Sequence, residues 1–124
     1  MTDQKVVIVT GAGSGIGEAT AKRFAHDGYK VVLNGRTEEK LNKVAEEIRK
    51  PDDVFVIAGD VSSEADVEAL VNGTVEKFGR IDVVVNNAAI AVMGGIDDVS
   101  LEDWNKQMAI NAGGVFLTIK KALP

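Results

Sequence analysis

The 124-residue chain has no cysteine, which excludes disulfides and thiolate metal sites. It has one histidine, His26, placed near the end of an expected helix, where it reads as a solvated residue rather than a ligand or a base. No cluster of histidine and carboxylate has metal-ligand spacing. No apolar run approaches membrane-spanning length, and the opening residues Met1-Thr2-Asp3-Gln4-Lys5 lack the apolar core of a signal peptide. The expected compartment is therefore the cytoplasm, with no membrane partner. Positive charge is also in deficit. The net charge is −5, and an acidic chain gains little beside nucleic acid phosphates, so no nucleic acid partner is expected. The acidic pairs Asp97-Asp98 and Glu102-Asp103 flank a loop and a helix start, where solvation and the helix dipole account for them.

What the chain does have begins with Thr10-Gly11-Ala12-Gly13-Ser14-Gly15-Ile16-Gly17. This run follows an apolar stretch, Val6-Val7-Ile8-Val9, and opens a helix expected from Glu18 to His26. A strand, a glycine turn and a helix start form a phosphate cradle, because main-chain N–H groups at a helix N-terminus carry partial positive charge. Residues without a Cβ allow the tight turn and the close approach of a ligand. The plainer alternative is a glycine-rich helix entry with no ligand. No Gly-Lys-Ser/Thr closes the turn, which argues against a nucleoside triphosphatase.

Four short apolar runs occupy residues 6–9, 31–33, 54–58 and 81–85. Most are rich in valine or isoleucine with little alternation, as in strands of a parallel sheet covered on both faces. Helix-period stretches lie between them. Leu41, Val44, Ala45 and Ile48 share one face of residues 37–50. Val67, Leu70, Val71, Val75 and Phe78 share one face of residues 63–78, with Ser63 as N-cap and Gly79 as C-terminal stop. A last helix is expected to start at Ser100, with Asp103 completing a capping-box variant, and to continue through Trp104 and Met108 towards Lys121. The alternation predicts an α/β doubly wound parallel sheet with right-handed crossovers. Ligands of such sheets sit outside the carboxyl ends of the strands.

Three further features fall at fitting places: Asp60-Val61 after the third strand, Asn86-Asn87-Ala88-Ala89 after the fourth, and Asn111 in the last helix. Together with Gly11, Gly15 and Gly17 they closely resemble the short-chain dehydrogenase/reductase family, from about Lys5 onward. The resemblance implies one Rossmann-type dinucleotide-binding domain over residues 1–124, incomplete at its C-terminus, with four strands in the order 3-2-1-4. It implies that Gly11, Ser14, Gly15, Ile16 and Gly17 hold the cofactor's diphosphate. Asp60 would accept from the adenine amino group and the Val61 amide would meet a ring nitrogen, although an Asx-turn ahead of the third helix also explains Asp60. Asn86 and Ala88 would line the ribose, and Asn87 would tie neighbouring strands. Ala89 stands where the family has glycine; a positive φ there would add strain of about 1 kcal/mol. Asn111 matches the family's active-site asparagine, with a helix kink or a buried polar contact as the alternative. Residues 91–95 would border the substrate.

The cofactor itself can be argued from charge. NAD-preferring sites place a carboxylate at the end of the second strand, for the ribose 2′-OH. Here that place reads Asn34-Gly35-Arg36. Arg36 offers a planar donor fork suited to a 2′-phosphate, so NADP(H) is expected over NAD(H). A solvated arginine ahead of a helix is the alternative.

The family's chemistry needs a serine and a Tyr-x-x-x-Lys pair, in which lysine lowers the tyrosine pKa. The lone tyrosine, Tyr29, is followed four positions later by Leu33, so Tyr29 is a surface or packing residue. The resemblance places the catalytic motif beyond Pro124, and the chain as given is expected to be inactive alone. Three functions stay open: an NADP-dependent oxidoreductase acting on a small carbonyl or alcohol substrate, a non-catalytic nucleotide-binding module, and an interaction protein pairing through its last helix. Family resemblance also implies a homo-oligomer.

Overall fold

Four valine-rich segments lie side by side in the computed structural model, which describes residues 4–90 and 97–123. They are β1 (Val6–Val9), β2 (Lys30–Leu33), β3 (Val54–Val56) and β4 (Val83–Val85). All pairings are parallel, in the order β3-β2-β1-β4, which is the order that the family resemblance implies. β3 and β4 are shorter than the apolar runs that contain them. Their flanks still bond to the sheet, with Ile57 N–H donating to Leu33 O at 3.0 Å and Asp82 N–H to Val6 O at 2.9 Å. The difference is only where regular pairing stops.

The helices are α1 (Gly15–His26), α2 (Glu38–Ile48), α3 (Glu64–Phe78), α4 (Leu101–Met108) and α5 (Gly114–Ala122). Side chains alternate along a strand, and here both faces are covered. Val7, Val9, Val31 and Leu33 cluster with Ala21 and Ala25 of α1 and Leu41 and Val44 of α2. Val6, Ile8 and Val32 turn the other way, onto Leu70 and Phe78 of α3. That double cover is why β1 shows no polar alternation. Each fully buried Val or Leu contributes about 1.5–3 kcal/mol of transfer free energy.

Helix ends follow their local signals. Ser63 accepts from Asp66 N–H and α3 stops at Gly79 with φ 83°. Ser100 accepts from Asp103 N–H at 3.1 Å. The expected stripe on α3 shifts at one position: Val75 is exposed and Thr74 is buried instead. The Thr74 hydroxyl donates to Leu70 O at 2.8 Å, so the core takes its methyl group without stranding a polar atom.

The last helix is not continuous. Residues Ala109–Gly113 form a π-helical turn between α4 and α5. Two glycines, Gly113 and Gly114, weaken α-helical propensity there. Gly114 also lies hard against Val61, where an added Cβ would come within 2.5 Å of Val61 Cγ2. Asn111 bonds outward to the loop after β4, which holds the wider turn open.

At the amino end of the sheet, the Asp82 carboxylate accepts from Val6 N–H at 2.8 Å and from both arms of Arg80. The Arg80 guanidinium, then the Val6 amide, hold this carboxyl below its ordinary value of 3.8. A carboxyl with a lowered folded-state pKa contributes stability that is complete above the unfolded value and is lost as pH falls through the folded one. Asp82→Asn is therefore expected to lower the urea midpoint near neutrality and to flatten its decline between about pH 5 and 2. An unchanged acid limb in urea titrations across that range would remove Asp82 from the account.

Candidate functional site

The turn after β1 is built from glycines with different duties. Gly11 and Gly15 sit at φ 63° and 57°, where an L side chain is strained. Gly17 has an ordinary φ, but a Cβ there would lie 2.0 Å from Gly11 O and 2.6 Å from Asn87 Nδ2. The bare α-carbon is what lets α1 begin directly over the end of β1. Ser14 is the N-cap of α1, yet its side chain makes no capping bond. The first internal bond of the helix runs from Glu18 N–H to Ser14 O. The amides of Gly15, Ile16 and Gly17 thus have no acceptor among the described residues. Space beside Gly15 is open, and Ile16 is 77% exposed.

This helix start borders a cleft at the carboxyl ends of the strands. Of the residues singled out in the sequence, the cleft brings together Gly11, Ser14, Arg36, Asp60, Val61 and Ala88. Asn34, Lys40 and Ile110 also line it, and the sequence assigned none of them a role. Asn34 is buried. Its Nδ2 donates to Ile57 O at 3.0 Å, while its Oδ1 has no partner. The amide so ties the ends of β2 and β3 and leaves one polar atom unpaired in the cleft wall.

Asp60 does two things at once. Its Oδ1 accepts from the Ser62 amide at 2.9 Å and the Ser62 hydroxyl at 2.7 Å, which is the Asx-turn. Its Oδ2 has no partner among the described residues. Burial opposes ionisation, but the two Ser62 bonds and the nearby Arg36 and Lys106 charges outweigh it and hold the carboxyl below the usual aspartate value. The carboxylate is therefore a standing acceptor facing the cleft.

The remaining site residues lie around this cleft rather than in it. Asn86 turns away from it. Its Oδ1 accepts from the Thr118 hydroxyl at 2.5 Å, and it lines a separate groove between β4 and α5 with Val84 and Ile119. Asn111 clamps Ile90, accepting from its N–H and donating to its O at 2.8 Å each. Ile90 in turn lines the cleft. Of the alternatives raised for Asn111, the helix does change at this residue, and its side chain makes a polar contact, but an exposed one rather than a buried one. Asn87 donates to Gly11 O at 3.2 Å, joining the β4 loop to the β1 turn. Thr10 does the same from the other side: its hydroxyl accepts from the amides of Asn87 and Ala88 at 3.0 Å each. A threonine ending an apolar strand was the available signal for that knot. Ala89 does not have a positive φ, so the strain considered for it does not arise. Residues 91–95 lie outside the described residues.

Tyr29 packs edge-on against Phe24, with ring centroids 4.8 Å apart. It precedes β2, at the opposite end of the sheet from the cleft. Among the described residues no group of histidine and carboxylate could hold a metal ion. None of the helices among them is long and apolar enough to cross a membrane.

An uncapped helix start, an open glycine surface, a spare carboxylate oxygen and a guanidinium thus face one cleft. That donor set suits a dinucleotide. The model of the short chain dehydrogenase family matches residues 5–124. The chain belongs to the short-chain dehydrogenase family. A meso-2,3-butanediol dehydrogenase of Serratia marcescens is 42% identical over 98% of this chain and 48% of its own length. A 3-ketoacyl-(acyl-carrier-protein) reductase from Brucella melitensis, solved with NADH, superposes with a TM-score of 0.92 at 41% identity, covering 97% of this chain and 49% of that one. An alcohol dehydrogenase from Thermococcus sibiricus, solved with 5-hydroxy-NADP, gives a TM-score of 0.92 at 36% identity, with 98% and 52% covered. This short-chain dehydrogenase chain spans about half the length of the curated relatives it matches.

The glycine duties predict unequal costs. Gly17→Ala forces a main-chain contact apart and is expected to cost about 1–3 kcal/mol or more. Gly15→Ala meets open space and is expected to cost only the backbone strain, about 1–2 kcal/mol. Urea unfolding of both variants measures this; a Gly17→Ala variant as stable as the parent would contradict the close approach.

Proposed function

We propose that this chain is the nucleotide-binding half of an NADP(H)-dependent oxidoreductase acting on a small carbonyl or alcohol substrate. The carrying observation is that the cleft beside the uncapped start of α1 is bordered by Arg36 and has no carboxylate at Gly35. The nicotinamide cofactor supplies the hydride when bound. The free amides of Gly15, Ile16 and Gly17 and the Ser14 hydroxyl bind its diphosphate. Asp60 Oδ2 accepts from the adenine amino group, beside Val61 and Ala88. Arg36 receives the 2′-phosphate as a forked donor. Asn86 is held by Thr118 outside the cleft, which leaves Ala88 to line the ribose. Asn111 fixes Ile90 and with it one wall of the cleft. That a relative holds NADH and another 5-hydroxy-NADP supports a nicotinamide cofactor, and the 2′-phosphate preference rests on Arg36 alone.

Carbonyl reduction also needs a proton donor, and the only tyrosine faces away from the cleft. The reading is therefore of binding without turnover by these residues alone. A second reading, association through the last helices, is favoured by a specific observation: Trp104, Met108, Phe116 and Ile119 are all exposed on α4 and α5. An apolar surface of that kind suits a partner polypeptide, and homo-oligomerisation is compatible with the cofactor reading.

Titration of NADPH fluorescence with the purified chain is expected to saturate, with no oxidation of NADPH when ketone is added. Arg36→Leu is expected to weaken NADPH by about ten- to a hundredfold, the scale of a charge-assisted bond, and to leave NADH nearly unchanged. Equal losses for the two cofactors would refute the 2′-phosphate assignment.

A further inference from the structure

We propose that Lys40 is a second specificity-determining cation, which with Arg36 and Thr37 receives the phosphate that distinguishes NADP(H) from NAD(H). The proposal rests on the cofactor reading above and extends it to a residue outside the family motif. Arg36, Thr37 and Lys40 all line the cleft, whereas Glu38 and Glu39 between them do not. The helix period explains the split, since Thr37, Lys40 and Leu41 fall on one side of the first turn of α2. Leu41 is fully buried on that side, which anchors the turn and fixes Lys40 beside the opening.

Gly13 supplies an independent observation. Its φ is not positive, so its backbone does not require glycine. Its bare α-carbon instead makes room for Lys40: an added Cβ would lie 3.1 Å from Lys40 Cβ and 3.8 Å from Lys40 Cδ. The lysine stem thus lies across the glycine turn, towards the same cleft as Ser14 and Arg36. Neither Lys40 nor Arg36 forms a hydrogen-bonded ion pair with any described residue, although Lys22, Lys30, Lys121, Arg23 and Arg80 all do. Thr37 is the N-cap of α2, yet its hydroxyl makes no capping bond, so a neutral donor is also free. Two unpaired cations and a hydroxyl around one opening, in an acidic chain, match a phosphate dianion better than a ribose hydroxyl.

Affinities for NADPH and NADH are measured for the parent chain, Lys40→Met, Lys40→Gln, Lys40→Arg and Arg36→Leu, with melting curves to confirm folding. Methionine keeps the stem on Gly13 and removes the charge; glutamine covers the case in which methionine perturbs packing. Both are expected to weaken NADPH by about five- to tenfold with little change for NADH, while arginine retains the parent preference. The dependence of NADPH affinity on salt is expected to become shallower in the two neutral variants. If they bind NADPH as the parent does while Arg36→Leu loses it selectively, the role of Lys40 is overturned and the cofactor reading stands. If they weaken both cofactors equally, Lys40 acts only by packing on Gly13, and the proposal is again overturned. If the parent prefers NADH and Arg36→Leu is unselective, the cofactor reading itself fails.

Discussion

The contact between Gly17 and the carbonyl of Gly11 sets the geometry of everything around the cleft. No side chain fits between them, since a Cβ would come within 2.0 Å of that oxygen. Helix α1 can therefore start immediately above β1. Its first-turn amides then emerge at the mouth between β1 and β2, where they meet no protein acceptor. A helix with its own cap would have satisfied part of that need internally; here Ser14 makes no capping bond. The same closeness brings Asn87 within reach of Gly11 and Thr10 within reach of two amides after β4. One missing methyl group thus couples the ends of β1 and β4.

Charge is distributed against the overall trend of the chain. The net charge is −5, and Lys22, Arg23, Lys30, Arg80 and Lys121 pair with carboxylates away from the cleft. Around the cleft the balance reverses, with Arg36 and Lys40 uncommitted and Asp60 as the inward carboxylate. Long-range attraction of an anion to such a protein is weak at physiological salt. Selection between cofactors must then come from short contacts, in which geometry and desolvation matter more than net charge.

The parallel sheet and the apolar face of α2 were legible because buried β1 and β2 carry runs of valine, isoleucine and leucine, and Leu41, Val44 and Ile48 repeat at helical spacing. The turn of residues 11–17 was legible because positive φ and close approach leave a mark in composition. What escaped were features set by distant partners. Asn86 reads as a cleft residue until Thr118, 32 positions away, is seen to hold its side chain. Thr74 displaces Val75 from the core because an intrahelical bond satisfies its hydroxyl, which no hydropathy pattern conveys. Lys40 looks like an ordinary surface lysine until Gly13 is found beneath it. The break in the last helix was legible only as the alternative of a kink at Asn111, a weak helix former; the bonds to Ile90 show what its side chain does there.

The π-helical turn has a consequence for phase. A residue added within an α-helix rotates everything after it by about 100°. Ile110 before the end of that turn points into the cluster with Val61 and Val67, whereas α5 beyond it must present Thr118 to Asn86 and Lys121 to Glu64 and Glu68 on α3. Leu117 of α5 packs on the same cluster as Ile110, so the chain meets that cluster on both sides of the widened turn. The turn thereby sets the phase at which Thr118 and Lys121 reach their partners.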